Sequence, residues 1–214
     1  MSLLLVMELT HNKKIKSTGT KNLFENPLLE KLTRSHFSLP LCILAVISIY
    51  LAYLAMGKFD IKISIFSILF ISGFFSWTLG EYFIHRFVFH MDDDKKWKRW
   101  ITYTFHGIHH EYPKDKDRIV MPPAGAILIS SIIFAAFWLI MQNYAFAFVP
   151  GFLIGYLVYA FIHYAIHAYQ PPKNFLKWLW IYHSIHHYKH PDKYFGVSSP
   201  IWDYVFNTVP KKNK

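Results

Sequence analysis

Four long, almost uncharged apolar stretches decide most of what this chain can become: residues 39–57, 61–80, 124–141 and 146–167. At about 1.5 Å per residue, nineteen residues reach roughly 28 Å, close to the thickness of a bilayer's hydrocarbon core. Backbone N–H and C=O groups find no water there and must pair within their own segment, so each stretch reads as a helix. Gly57-Lys58-Phe59-Asp60 and Gln142-Asn143-Tyr144 are short links. The expected fold is therefore an all-α integral membrane protein with four transmembrane helices in two hairpins. Pro122-Pro123 and Pro171-Pro172 bound the second pair. No Gly or Pro interrupts Glu81 to Met91, so the second helix is expected to run on into water. The first apolar segment, Leu3 to Met7, is too short for a signal-peptide core. Residues 1–38 read as a basic N-terminal arm and 39–214 as the membrane domain.

Charge gives the orientation. With four spans, both termini and the polar segment 92–118 share one side, which carries 21 of the 23 Lys and Arg; only Lys58 and Lys62 fall opposite. The positive-inside rule makes the rich side cytoplasmic. The formal net charge of +10 is not read as a nucleic-acid surface, because the basic residues border the spans and form no separate module.

The unusual feature is thirteen His in so apolar a chain. Ten fall in four clusters on the cytoplasmic side: His85 and His90; His106, His109 and His110; His163 and His167; His183, His186 and His187. Two clusters end the second and fourth spans, and two lie in the segments that follow, so a cap folded back over the helix ends would gather all ten. Within the last three, spacings of three and four residues stack side chains on one helix face. His85 and His90, five apart, point about 140° from one another on an ideal helix, unless the helix loosens there or each serves a different metal. His11, His36 and His190 are read as ordinary polar-boundary residues, with His190 near enough to the last cluster to support it.

Neutral imidazole suits zinc, copper, iron and nickel, and ten imidazoles exceed one ion's needs, whereas two ions with about five ligands each would use them all. His110-Glu111 is followed by Lys114 where a zinc-peptidase motif needs its second His. No cluster carries a carboxylate in register, unlike ferritin-like di-iron designs. Bis-His haem needs two His facing across a bundle, and the single Cys42 allows neither a disulfide nor an iron–sulfur site. A histidine-only di-iron centre that activates dioxygen against a lipid C–H bond remains.

These residues resemble a known family. His85-Arg86-Phe87-Val88-Phe89-His90, His106-Gly107-Ile108-His109-His110, Arg118-Ile119-Val120-Met121-Pro122-Pro123, Gly155-Tyr156, His163-Tyr164-Ala165-Ile166-His167, His183-Ser184-Ile185-His186-His187, Gly196-Val197-Ser198-Ser199 and Trp202-Asp203 are similar, in order and spacing, to the fatty acid hydroxylase superfamily, closest to its fatty acid 2-hydroxylase branch. The resemblance runs from about residue 80 to 209. It implies that the ten clustered His hold two iron ions, with zinc able to replace iron during purification. It also implies dioxygen as co-substrate and oxygen insertion at C2 of a fatty acyl chain, free or in a sphingolipid. Members of the branch commonly have Asp three residues before the third cluster, where this chain has Ala160. Many carry a fused cytochrome b5 domain, for which the 38 residues before the first span are too few. A separate donor, cytochrome b5-like or ferredoxin-like, is expected to dock on Lys95, Lys96, Lys98, Arg99, Lys114, Lys116, Lys189 and Lys193. Tyr112, Arg118, Tyr188 and Trp202 are candidate contacts for the lipid headgroup. The alternatives are sterol desaturase or carotenoid hydroxylase chemistry within the superfamily, or a metal-handling membrane protein without catalysis. The last should show ionisable residues along the spans, and none lies at mid-depth.

Overall fold

The computed structural model describes residues 15–210 apart from 17 and 93, so His11, Lys13, Lys14, Lys211, Lys212 and Lys214 lie outside the described residues. Four long helices carry the fold: α2 (Ser38–Gly57), α3 (Ile63–Ile84), α6 (Pro123–Met141) and α7 (Ala145–Ala168). Short helices make up the rest: α1 (Pro27–Leu32), α4 (Lys96–Thr102), α5 (Ile108–Glu111), α8 (Lys177–Tyr188) and α9 (Ile201–Val205). Three helical stretches are long and apolar enough to cross a membrane: Ser38–Gly57, Ile63–Phe89 and Lys116–Ala168. The third folds back on itself at Gln142, whose φ of 51° ends α6. The chain is an all-α, multi-pass membrane protein. Ile49, Ile68, Leu139 and Ile140 are among the large apolar side chains left uncovered, as a lipid-facing surface requires.

The pairing differs from two simple hairpins. Helices α2 and α3 are joined by a short link yet scarcely touch, and α7 fills the space between them and packs along both. Small residues explain the choice. A methyl group at Gly151 would overlap the carbonyl of Phe70, and one at Gly73 would overlap the carbonyl of Phe148, so α3 and α7 meet backbone to backbone. In lipid, apolar surface gains little by leaving its solvent, and close packing of this kind is what holds helices together. Beyond that crossing, Trp77 sets its ring edge-on to Phe152 and Tyr156, at 5.2 and 5.1 Å between centroids.

The continuation of the second helix past Glu81 is present, with a change of pitch. Residues His85–Phe89 form a π turn closed by the His90 N–H donating to the His85 carbonyl at 3.1 Å, and a second π turn spans Tyr103–Gly107. Helices α4, α5 and α8 and the tail lie over this end as a cap. The described part of the basic arm packs against the cap. Leu23 is buried, Glu30 accepts from the backbone N–H groups of Leu23 and Phe24, and Arg118 pairs with Glu30.

Candidate metal centre

The ten clustered histidines converge into two groups of five, each with one ring nitrogen per residue within 4.8 Å of the others. Group A is His85, His90, His106, His110 and His186; group B is His109, His163, His167, His183 and His187. The groups abut where the His110 and His187 rings stack, 4.1 Å between centroids.

This partition departs from the sequence expectation that each cluster converges as a unit. Each His-x-x-His-His triplet is divided: His106 and His110 join A while His109 joins B, and His186 joins A while His183 and His187 join B. Adjacent helical residues point about 100° apart, so a triplet at the seam serves both sides. His85 and His90 do share a group, because the π turn between them supplies the loosening their spacing requires. The signal was the five-residue spacing itself.

In group A, the Nε2 atoms form a connected set. His85 to His106 is 3.0 Å, His106 to His110 2.9 Å, His110 to His186 3.2 Å and His186 to His90 3.1 Å. In group B, His163 and His109 Nε2 are 3.0 Å apart, and His167 and His183 Nε2 are 2.9 Å apart. Nitrogens bound at roughly 2.1 Å and about 90° apart on one ion would be separated by about 3 Å. Hydrogen bonding among the rings does not explain the arrangement. His85 donates its Nδ1–H to the Phe195 carbonyl at 2.5 Å and His186 its Nδ1–H to the Lys193 carbonyl at 2.7 Å, leaving lone pairs on both Nε2 atoms. Both ring nitrogens of His187 are buried with no partner among the described residues, a costly state that a bound cation relieves. Burial, reinforced by neighbouring imidazoles, holds His106, His109, His110, His183 and His187 well below the usual imidazole range, and burial brings His186 down to about 4. The rings are neutral at pH 7, the form a metal needs. The donor set fits two imidazole-bound ions.

A cavity of about 440 Å³ opens on both groups, touching His85 and His106 of A and His109 and His163 of B. It runs between the long helices, lined by Leu44, Trp77, Ile129, Ile133, Phe152 and Leu153, and reaches Leu23, Thr33 and Arg118 at the arm. Ala160, where the family resemblance leads one to expect Asp, also lines it and packs with Ile119 and Val120, while the Tyr159 ring stacks on His163 at 5.6 Å.

Of the four candidate headgroup residues, Arg118 is in the cavity lining and Tyr112, Tyr188 and Trp202 are not. Arg118 lines the cavity with its charge paired to Glu30, and Tyr112 is buried with its hydroxyl accepting from Lys16 Nζ at 2.8 Å. Trp202 donates to Thr78 Oγ1 at 3.0 Å, and Tyr188 is exposed. His36 pairs with Ser38, and His190 closes a turn after α8. Glu111, next to His110, turns away from the site and accepts from Tyr103 at 2.8 Å and Lys16 at 3.0 Å.

Sequence reasoning assigned no role to two buried carboxylates. Glu81 accepts from the N–H groups of Val197 at 2.5 Å and Ser198 at 2.9 Å and from the Ser198 hydroxyl. Asp203 accepts from the N–H groups of Phe195 and Gly196, both at 2.8 Å, and from the Thr208 hydroxyl at 2.7 Å. A carboxylate at the end of an apolar run, one helical turn before His85, was the available signal.

Fold and site together define a membrane protein with a polyhistidine centre suited to two metals beside an apolar cavity. The fatty acid hydroxylase family model matches residues 70–208, and the chain belongs to that family. It is 38% identical over 145 residues to the dihydroceramide fatty acyl 2-hydroxylase FAH1 of Arabidopsis thaliana, covering 65% of this chain and 60% of that protein. It is 35% identical over 198 residues to the ceramide very long chain fatty acid hydroxylase scs7 of Schizosaccharomyces pombe, covering 90% of this chain and 56% of that one. Among solved structures, the hydroxylase domain visible in full-length scs7p superposes with a TM-score of 0.83 at 32% identity, covering 92% of this chain and 74% of that chain. The chain spans about 60% of the length of the first of these curated relatives.

Proposed function

We propose that the chain is an oxygen-dependent lipid hydroxylase that places a hydroxyl on C2 of a fatty acyl chain, free or in a complex lipid such as a ceramide. The observation that carries this reading is the cavity, about 440 Å³ with a largely apolar lining, which touches both histidine groups. Kinship with proteins named as acyl 2-hydroxylases supports the choice of carbon.

Groups A and B would each hold one iron, and zinc would fill the same imidazoles where iron is scarce. Such an ion pair supplies dioxygen activation. The chain's own residues do the rest. Trp77, Ile129, Ile133 and Phe152 align the acyl chain and exclude water, and the neutral imidazoles keep their lone pairs free for metal. The polar end of the lipid rests near Thr33 and Arg118, where Arg118 Nη1 donates to Thr33 Oγ1 at 3.0 Å. We read the topology as four crossings with the histidine end cytoplasmic, on the strength of the 21 of 23 basic residues assigned to that side. Electrons then come from a cytoplasmic donor, cytochrome b5-like or ferredoxin-like.

Lipid mass spectrometry of cells with and without the protein, grown under ¹⁸O₂, tests the reading. The expected product is an acyl chain carrying labelled oxygen at C2. A product that gains a double bond and no oxygen favours desaturation, and metal binding with an unchanged lipid profile favours a non-catalytic role; either result overturns the proposal.

A further inference from the structure

We infer that Glu81 and Asp203 are positioning residues that fix the loop 193–198 against group A, making it the more tightly binding of two unequal metal sites. The inference rests on the reading of groups A and B as metal sites.

Within group A, two imidazoles are oriented from behind by backbone carbonyls only two residues apart, Lys193 on His186 and Phe195 on His85. Tyr194, between them, has φ of 54°, a conformation that a bulky side chain adopts only when its surroundings compel it. Its ring lies flat on Tyr182 at 4.3 Å between centroids, and its N–H donates to the Thr208 carbonyl at 3.1 Å. Four successive N–H groups, those of residues 195 to 198, are taken by the two carboxylates: Asp203 holds the first two and Glu81 the next two. The loop therefore cannot shift without releasing charge-assisted hydrogen bonds in a buried place. Glu81 ties it to the helix that leads into His85, and Asp203 to the tail. At Gly196 a methyl group would overlap the Ser199 carbonyl and crowd Asp203, so the turn closes directly on the carboxylate.

Group B is built differently. The Nδ1 atoms of His109, His183 and His187 are buried and have no acceptor among the described residues. An acceptor on the far nitrogen fixes the tautomer and makes the near nitrogen a stronger ligand, and its removal typically lowers metal affinity about 10- to 100-fold. The same factor is the difference expected between the two groups.

The test uses the full chain in detergent or nanodiscs, loaded with zinc alone, with bound metal followed by elemental analysis during chelator challenge. Wild type should release its two ions in two phases. In a His187→Ala background, where only group A is intact, Glu81→Ala should weaken the remaining zinc roughly 10- to 100-fold. Glu81→Gln, which keeps an acceptor for the two amides, should restore most of it. In a His90→Ala background, where only group B is intact, Glu81→Ala should change little. Equal weakening in both backgrounds, or none in either, overturns the inference. If Glu81→Ala does not fold, the wild type still decides. With ¹⁵N-histidine labelling, the imidazole N–H protons of His85 and His186 should exchange with water far more slowly than those of group B, and equal exchange overturns it. Failure of the wild type to bind zinc at all would instead defeat the metal-site reading beneath it.

Discussion

The helical bundle and the histidine cap are held by opposite means. In the bundle, the helix at the centre is lined with Ala145, Ala147, Val149 and Gly151, and cohesion comes from backbones brought close enough to touch. In the cap, the buried carboxylates are each tied to a polar partner: Glu30 with Arg118, Glu111 with Tyr103, Asp203 with Thr208. The difference reflects the two solvents. Lipid cannot drive apolar surfaces together, so the bundle needs shape, whereas a water-facing cap that must bury ten imidazoles needs polar anchors to hold its segments over them.

The largest expected effect separates the regions by function. His163→Ala should abolish hydroxylation and lower bound metal while leaving helical content unchanged, since His163 faces His109 and not the helix crossing. His11→Ala, outside the described residues, should change neither. Circular dichroism beside elemental analysis and product detection checks this, and retained hydroxylation in a folded His163→Ala protein would remove that residue from the site. Next in size is Gly151→Leu, which forces α3 and α7 apart and should cost the bundle about 3 kcal/mol. Thermal unfolding in detergent should show a lower midpoint, with metal retained by whatever fraction stays folded. Metal loss without a lower midpoint would mean that the two regions are not separable.

What the sequence made legible follows the same division. The long helices end within a few residues of where their apolar runs end, because lipid thickness and backbone pairing act through hydropathy alone. The ten histidines of the candidate site were legible too, since imidazole is a rare choice beside apolar spans. Their partition was not, because dividing His109 from His110 depends on where a helix sits between two neighbours. Helix packing was equally hidden: a short link suggests a hairpin, but Gly73 and Gly151 bring α7 onto α3 instead. Glu81, at the end of an apolar run, and Asp203, in the Trp202-Asp203 pair, stood out by position, but their role was hidden because their partners are mainly backbone amides, which every residue has.

Acid should loosen the cap before the bundle, in two stages. Burial holds His186 down at about 4 against an ordinary 6.5, so an unfolded cap binds more protons between those values. His186 therefore costs the metal-free cap stability as pH falls from about 6.5 to about 4. Glu30 acts below that. Burial would raise its pKa, but the Phe24 N–H, Arg34, Arg118 and the Leu23 N–H outweigh it and hold the carboxyl below 4.5. Its stabilisation is complete above its unfolded pKa and is lost as pH falls through the lower folded value. Glu30→Ala should cost roughly 2 kcal/mol at pH 7 by leaving Arg118 without its main partner, and should flatten the second stage alone. Hydrogen exchange of residues 20–34 against that of α7 measures both; simultaneous loss of protection in the two segments would contradict the separation.

The smallest effect concerns the outer face of the cap. Lys95, Lys96, Lys114, Lys116 and Lys189 are exposed, and they lie in the segments that carry or adjoin the histidine clusters. A donor with an acidic face would be drawn to them, and exposed charges of this kind change the rate of encounter more than the strength of the complex. Reversing two of them to Glu should slow donor-driven turnover a few-fold, and raising salt should do the same to wild type while affecting the reversed variant less. Lys98 is a poorer choice for the experiment, because it already pairs with Asp94 at 2.7 Å. With a small uncharged reductant in place of the protein donor, neither salt nor reversal should matter, since the metal groups and the bundle are untouched. An equal loss with both electron sources would place these lysines in the cap's own stability, or against lipid headgroups, and not in donor encounter.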